Sequence, residues 1–494
     1  MNRPSRFIGR RRFVKTVGAA VVLPNIVASK ALGAALIACA VGFCSLALYA
    51  EESEARQGEG IRIAFMTDMQ FDGPPKNGHR FGLAEQGNHN TGEGYNIALF
   101  AWQAMTQIKP DYIFDAGDLT SDSADEEYLV YRDWMVAMPA PVYPVMGNHD
   151  RQHTFYRPYG RGFFSILGQG SATRTLKAGN LVFILISQDH IPQSGVDSIS
   201  TQKLQWIRGQ LEKHSKGDNN IFLITHHPLN NTTAFSDKWW RTNHPAWKRT
   251  SKELKEMLTE YEKNVVAMIS GHVHMQWDFK DTPDDKWDGE GETENVGFFV
   301  DGREISSQKR EYEPRHLPEV YFLNLQALDW PHGRGREATV YYADARPGSR
   351  ELELLTMRTE DKKVVDRYKI RLPHAVDVGD RKMRFQESDL EIYGKDLAVQ
   401  IDEDDWFVIP KGNKGTVIFQ QEWAEPVEIR GVTVEAEGGT HGNVLYKTSD
   451  DPLGDWPDYD SKPPEEAGLL RLQIDFEADP GSVMRVHDVR IDVQ

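Results

Sequence analysis

From Ile61 onward the apolar residues follow two alternating rhythms. Short runs such as "IRIAFMT" (61–67), "DYIFDAG" (111–117), "PVYPVM" (141–146), "LVFILIS" (181–187), "NIFLIT" (220–225) and "NVVAMIS" (264–270) are rich in β-branched and aromatic residues and predict strands. Between them the spacing lengthens to that of a helix. Tyr95, Ala98, Leu99, Trp102 and Met105 share one helical face. Segments 125–138, 201–214 and 251–261 repeat the pattern, with Ser200 or Thr201 as the cap of the helix over 201–214. Strands alternating with amphipathic helices predict an α/β layered sheet that is partly parallel.

After Gly271 the character changes. Residues 278–297 are acidic and turn-rich and read as an insertion, and further strands are expected at 319–326, 337–344, 351–357 and 364–373. From about Asp380 short strands and turns follow one another, which predicts a separate all-β sandwich over 385–494. The expected organisation is an N-terminal segment (1–50), a main α/β domain (58–375) and this C-terminal domain.

A chain of 494 residues exceeds what one core usually organises, in keeping with two or three domains. Its net charge of −17 opposes contact with polyanions, so no nucleic-acid partner is expected. The first fifty residues carry seven Lys/Arg and no acid. "GRRRFVK" (9–15) followed by an apolar stretch has the form of an export signal, and its paired arginines resemble the twin-arginine signal that routes folded proteins across a bacterial membrane. The uncharged run Ala31–Ala50 is twenty residues long, enough to span a bilayer, so cleavage and a retained membrane anchor are both open. The expected location is periplasmic or otherwise extracytoplasmic. Cys39 and Cys44 are the two cysteines, and both lie in this segment. A metal site in the rest of the chain would have to use His, Asn, Asp or Glu.

Candidate chemistry sits where the strands end. The strand at 61–67 is followed by Asp68-Met69-Gln70, and that at 111–117 by Asp118. "PVYPVM" runs into Gly147-Asn148-His149-Asp150, "NIFLIT" into His226-His227-Pro228 and "NVVAMIS" into Gly271-His272-Val273-His274. In open α/β sheets, functional groups gather at the carboxyl ends of strands. Carboxylates, an amide and imidazoles brought to one point suit a pair of divalent ions sharing one carboxylate.

This series of motifs resembles the calcineurin-like metallophosphoesterases, whose pattern is Asp-Xaa-His, Gly-Asp, Gly-Asn-His-Asp/Glu, a strand-end His and Gly-His-Xaa-His. The resemblance covers about 61–330 and extends more weakly to about 375. It implies a two-layer β-sandwich flanked by helices, with two divalent metals at one edge. Hydrolysis of a small phosphoric ester would proceed by attack on phosphorus from a hydroxide held between the ions. By the same resemblance Asp118 is the bridging ligand. Asp68 and His274 hold one ion, with Gln70 where the family usually has His. Asn148, His226 and His272 hold the other; His226 is preferred to His227 from its spacing to Pro228. His149 stabilises the phosphoryl group or protonates the leaving oxygen, and Asp150 orients it. The amide at Gln70 favours manganese, with iron and zinc as the other metals the family implies.

Asp118-Leu119-Thr120-Ser121 lacks the Tyr of the purple acid branch. Asp-Xaa-Gln resembles the ADP-ribose/CDP-alcohol diphosphatase branch. "PVYPVMGNHD", "QLEKH" and "LITHHPL" are more similar to the cyclic-nucleotide and glycerophosphodiester phosphodiesterases. A phosphodiester or nucleotide-type substrate is therefore expected, with the diphosphatase as alternative. Two loops are candidate cleft walls: 324–337, with Trp330, His332, Arg334 and Arg336, and the Trp- and Arg-rich stretch 238–249. A reading of a different class is a glycan-binding surface protein with a degenerate metal site; the C-terminal domain, with Trp406, Trp423 and Trp456 among its exposed aromatics, either contacts carbohydrate or braces the catalytic domain.

Overall fold

The strand "LVFILI" sets the plan of the molecule. All six of its residues, Leu181–Ile186, are buried. Leu181, Phe183 and Leu185 face one apolar core, while Val182, Ile184 and Ile186 face another. A strand with no polar face needs cover on both sides. Here one cover is a second sheet and the other a pair of helices.

The computed structural model describes residues 60–71, 97–151, 161–191, 196–230, 232, 233, 236, 242, 244–274, 298–300, 303–305, 320–328 and 338–494, apart from 397, 402–405 and 454–455. The export or anchor segment, the acidic insertion, Trp330, His332, Arg334 and Arg336, and most of 238–243 lie outside the described residues.

Six strands form the first sheet: β1 (Ile61–Met66), β2 (Tyr112–Asp115), β3 (Val142–Pro144), β9 (Thr339–Ala345), β10 (Glu351–Arg358) and β11 (Val364–Arg371), in the order β11-β10-β9-β1-β2-β3. β1, β2 and β3 are parallel, and β9 joins β1 antiparallel with Ile63 opposite Ala343. The second sheet begins β8-β7-β6-β5-β4, from β4 (Arg174–Ala178), β5 (Leu181–Ile186), β6 (Asn220–Thr225), β7 (Val265–Ser270) and β8 (Tyr321–Asn324). β5 to β8 are parallel. Between the sheets lies one core, with Ile63, Phe65, Phe114, Phe183, Phe222 and Tyr341 among its members.

Helices α1 (Ile97–Ile108) and α2 (Asp125–Val136) are tied together by Trp134 Nε1, which donates to Ala98 O at 3.0 Å. Tyr131 of α2 donates to Asp115 Oδ2 at 2.9 Å and so anchors this pair to β2. A short helix, α3, spans Arg161–Ser165. Helices α4 (Thr201–His214) and α5 (Pro245–Glu260) cover the second sheet with Leu204, Ile207, Trp247, Leu254 and Leu258. Ser200 caps α4 as expected. α5 starts six residues earlier than its periodicity suggests. His244 is its cap and Pro245 its first residue, where the missing N–H costs nothing. The end of the stretch read as a cleft wall is therefore helix.

β4 was not legible as a strand, because Thr175 and Lys177 interrupt its apolar residues. It pairs antiparallel with β5 on one edge, and its other partner comes from far along the chain. β12 (Arg384–Ser388) lies antiparallel to β4 with Phe385 opposite Leu176. The sheet then continues through β14 (Lys414–Val427), β17 (Ala467–Ala478) and β16 (Gly439–Ser449), with β13 (Glu391–Lys395) also on β14. Gln400–Ile401, Phe407–Ile409, β18 (Met484–Val493) and β15 (Ile429–Glu437) form a separate four-stranded sheet. A further core joins residues of both, including Phe407, Phe419, Leu472, Phe476 and Val486. The three tryptophans expected to be open are engaged here. Trp406 is 6% exposed within this core, and Trp423 packs against it. Trp456 carries the Arg471 guanidinium 3.8 Å from its ring centroid.

Ending the chain at Asp380 would remove β12 and leave the edge of β4 unpaired, a template for intermolecular pairing. The expected product is aggregated on size-exclusion chromatography. A soluble monomer with the far-UV signature of the intact α/β half would show instead that 60–380 folds alone.

Candidate metal centre

The carboxyl ends of β1, β2, β3, β6 and β7 meet at one edge of the sandwich. Asp68 and Asp118 stand at its centre, 0% and 1% exposed. Asp68 Oδ2 accepts from Thr67 Oγ1 at 2.8 Å and from the His272 backbone N–H at 3.0 Å. Its Oδ1 lies 3.2 Å from His274 Nε2 and 3.9 Å from His226 Nε2. Asp118 Oδ1 accepts from the His149 N–H at 2.8 Å, and Oδ2 lies 3.1 Å from His226 Nε2. Gln70 joins them through Nε2, which donates to Asp118 Oδ2 at 3.3 Å. His226 Nδ1 donates to the Ala116 carbonyl at 2.9 Å, which turns Nε2 toward the carboxylates.

Asp68, Asp118 and His274 bring one ligand atom each within 4.8 Å of one another, and so do His226, His227 and His272. Asn148 belongs to the second group, since its Oδ1 accepts from His227 Nε2 at 3.0 Å. His227 is the residue the sequence reading left out. The two histidines of "HHP" diverge: His226 turns to the carboxylates, and His227 turns to Asn148 and to the His272 ring, 3.9 Å away between centroids. The doubled His at a strand end was the available signal; which ring points where depends on the neighbouring strands.

The donor set fits divalent ions. Asp68 Oδ1 and His226 Nε2 are fully buried, yet neither meets hydrogen-bond geometry with any neighbour. Polar atoms left this way cost about 1–3 kcal/mol each unless something else satisfies them. Their convergence with the other imidazoles makes two buried His/Asp clusters suited to a dinuclear centre. The same convergence sets the charges of these groups. Burial works against charge on Asp118, but His226 and His149 opposite it hold its carboxyl below the usual range. Burial likewise disfavours charge on His226, but Asp118 and Asp68 raise it to about 9.

Asp150 does something other than expected. Rather than orienting His149, its carboxylate ties two turns together. It accepts from Gly147 N at 2.7 Å, Leu119 N and Thr120 N at 3.0 Å, and Thr120 Oγ1 at 2.9 Å. Burial and the charge of Asp118 raise it to about 6. The His149 ring is held instead by Ser121, whose carbonyl accepts from Nδ1 at 2.6 Å.

The backbone around these groups is strained and tight. Asp68 (φ 54°), Gln70 (45°), Asp118 (55°), His272 (69°) and His274 (58°) all adopt left-handed conformations that non-glycine residues rarely take. The cross-strand bonds Asp68 N to Gly117 O and Gln70 N to Asp118 O, both 2.9 Å, hold three of them in place. A Cβ at Gly147 would overlap Asp118 Oδ1, and one at Gly271 would fall 2.6 Å from Asp68 Oδ2. The glycines of these motifs are thus the space in which the carboxylates sit. Gly147→Ala is expected to lower stability by about 3 kcal/mol, the upper end of overpacking costs, and to lower retained metal. Wild-type melting temperature and metal content would refute this reading of the turn.

Residues 61–276 match the family described as calcineurin-like phosphoesterase. Similar proteins include a probable glycerophosphodiester phosphodiesterase, GpdQ, of Arcobacter nitrofigilis, 25% identical over 34% of this chain and 57% of the relative. Another is the 3',5'-cyclic adenosine monophosphate phosphodiesterase CpdA of Haemophilus influenzae, 27% identical over 37% of this chain and 63% of the relative. The chain thus spans less than two thirds of the length of either relative. A dimetal phosphatase from Danio rerio superposes with a TM-score of 0.41 at 11% identity, over 64% of this chain and 99% of that one. The match to the calcineurin-like phosphoesterase family thus falls on segment 61–276, the part of the chain whose motifs stand together at the one sandwich edge.

Proposed function

We propose that the protein is a dinuclear metal-dependent hydrolase of phosphoric esters, acting on a phosphodiester or nucleotide-type substrate. The observation that carries this reading is the pair of buried His/Asp clusters that share the Asp118 neighbourhood. Asp118 is the shared ligand. Asp68, His274 and Gln70 complete one site, and Asn148, His226 and His272 the other, with His227 adjoining Asn148. Divalent ions bound there would supply positive charge to the phosphoryl oxygens and acidify water for attack on phosphorus.

The chain's own groups do the rest. The side chain of His149 is 33% exposed, whereas those of Asp68, Asp118, His226 and His274 are at most 7% exposed. It is the imidazole that meets an entering substrate. Ser121 O can only accept, so Nδ1 carries a proton and Nε2 is the atom offered to the substrate. In the imidazolium form, with both ring nitrogens protonated, Nε2, 3.9 Å from Asp118 Oδ2, would give its proton to the leaving oxygen. Diester preference is supported by the names of the two relatives, and export by the N-terminal basic and apolar segment. Manganese is proposed at the Gln70 site because an amide is a harder, weaker donor than imidazole.

Asp118→Asn should remove most activity and lower metal content, because one residue serves both sites. His149→Ala should keep its metal while losing about 10²–10⁴ in turnover, with the greater loss on esters of poor leaving groups. Assay on a nitrophenyl diester, a glycerophosphodiester, cyclic AMP, a phosphomonoester and ADP-ribose, beside metal analysis, tests both. Full activity in Asp118→Asn would refute the shared-ligand role. Preferred turnover of ADP-ribose would favour the diphosphatase reading that Gln70 suggests.

Gln70→His should broaden metal preference toward Zn²⁺. Stripping both proteins and titrating back Mn²⁺, Zn²⁺ and Fe²⁺ by calorimetry checks this. Tight Zn²⁺ in both sites of the wild type, unchanged in the variant, would exclude it.

A further inference from the structure

Between the α/β half and the C-terminal strands lies a small cavity. Met146 and Arg151, which flank the Gly-Asn-His-Asp turn, line it together with Lys203, Asp189, Asp389 and Glu391. These charges are buried, apart from Asp189 at 19% side-chain exposure, and none belongs to the metal centre. A buried ammonium is costly unless paired, and one carboxylate suffices to pair it. Lys203 has that carboxylate in Asp189, to which Nζ donates at 2.9 Å. Glu391, from β13, is an additional acid brought in by the other core, with Oε1 3.6 Å from Lys203 Nζ.

Two routes lead from Glu391 to the turn. Along one, Lys203 Nζ donates to the Ser187 carbonyl at 2.7 Å, and Ser187 Oγ accepts from the Met146 N–H at 2.8 Å. Along the other, Glu391 Oε2 accepts from the Ala172 N–H at 2.6 Å and Ser171 Oγ at 3.3 Å, and Ala172 O accepts from Ser187 Oγ at 3.1 Å. Both end on Met146, the residue before Gly147. Every member of the path is buried, so water cannot replace a lost partner cheaply.

We propose that Glu391 is a positioning residue through which the C-terminal β-region sets the Gly147–Asp150 turn, and with it Asn148 and His149. The consequence for turnover rests on the phosphoesterase reading above; the consequence for the turn does not. The test compares Glu391→Ala with Phe476→Leu, a lesion in the C-terminal core away from the path. In the full chain, amide hydrogen exchange of the peptide 145–151 should be about tenfold faster in Glu391→Ala and unchanged in Phe476→Leu. Glu391→Gln, which keeps an oxygen for the Ala172 N–H, should restore much of the protection; it also serves as the test if the alanine variant is insoluble, with exchange about threefold faster than wild type. Exchange no faster than in Phe476→Leu overturns the brace, whatever the turnover. Metal-loaded Glu391→Ala should also lose about tenfold in kcat on a nitrophenyl diester with KM little changed. Faster exchange with wild-type kcat would overturn the catalytic part of the proposal while leaving the phosphoesterase reading intact.

Discussion

Two carboxylates out of water, Asp68 and Asp118, govern the architecture around them. An ion in a dry site costs several kcal/mol unless its surroundings repay it. Here repayment is local and of one kind. Backbone N–H groups of His149 and His272 and the Thr67 hydroxyl take some of the lone pairs. The remaining lone pairs face imidazoles and an unsatisfied centre. Removing this field of negative charge would leave the imidazoles with no reason to converge. Removing the imidazoles would leave the carboxylates buried without partners.

That demand propagates into the backbone. Five site residues occupy left-handed conformations, each costing about 1–2 kcal/mol for a residue with a Cβ. The strain persists because the strands on either side over-determine the turns, with Asp68 N and Gln70 N bonded across to the 117–118 turn. Glycines at 117, 147 and 271 supply the close approaches. Asp150 completes the arrangement from behind, holding the 118–120 and 147–150 turns in one register. Rigid sheets carry the site, and strained turns aim it.

The C-terminal region is part of the same sheet through β4, β12 and β14. It has its own apolar core, yet its Glu391 bonds to the Ala172 N–H of the α/β half. Its tryptophans serve packing and a cation stack.

Much of this was legible along the chain. The strands with two covered faces read as unbroken apolar runs, and the motif residues followed each at its carboxyl end, because a parallel sheet delivers its loops to one edge. Ser200 as a cap and the all-β character of the C-terminal region were equally local signals. Other features were not local. β4 is polar at alternate positions, and the partner on its other edge, β12, lies some two hundred residues later. Trp406 looked like a surface ring until a second sheet covered it. The partners of His227 and Asp150 lie on neighbouring strands and turns, so their roles could not be read from their own motifs. The sequence by itself determined which chemical groups stand at the strand ends, since alternation and turn residues are short-range properties. Tertiary structure alone decided which atoms of those groups face one another, because that depends on the register between strands far apart in the chain.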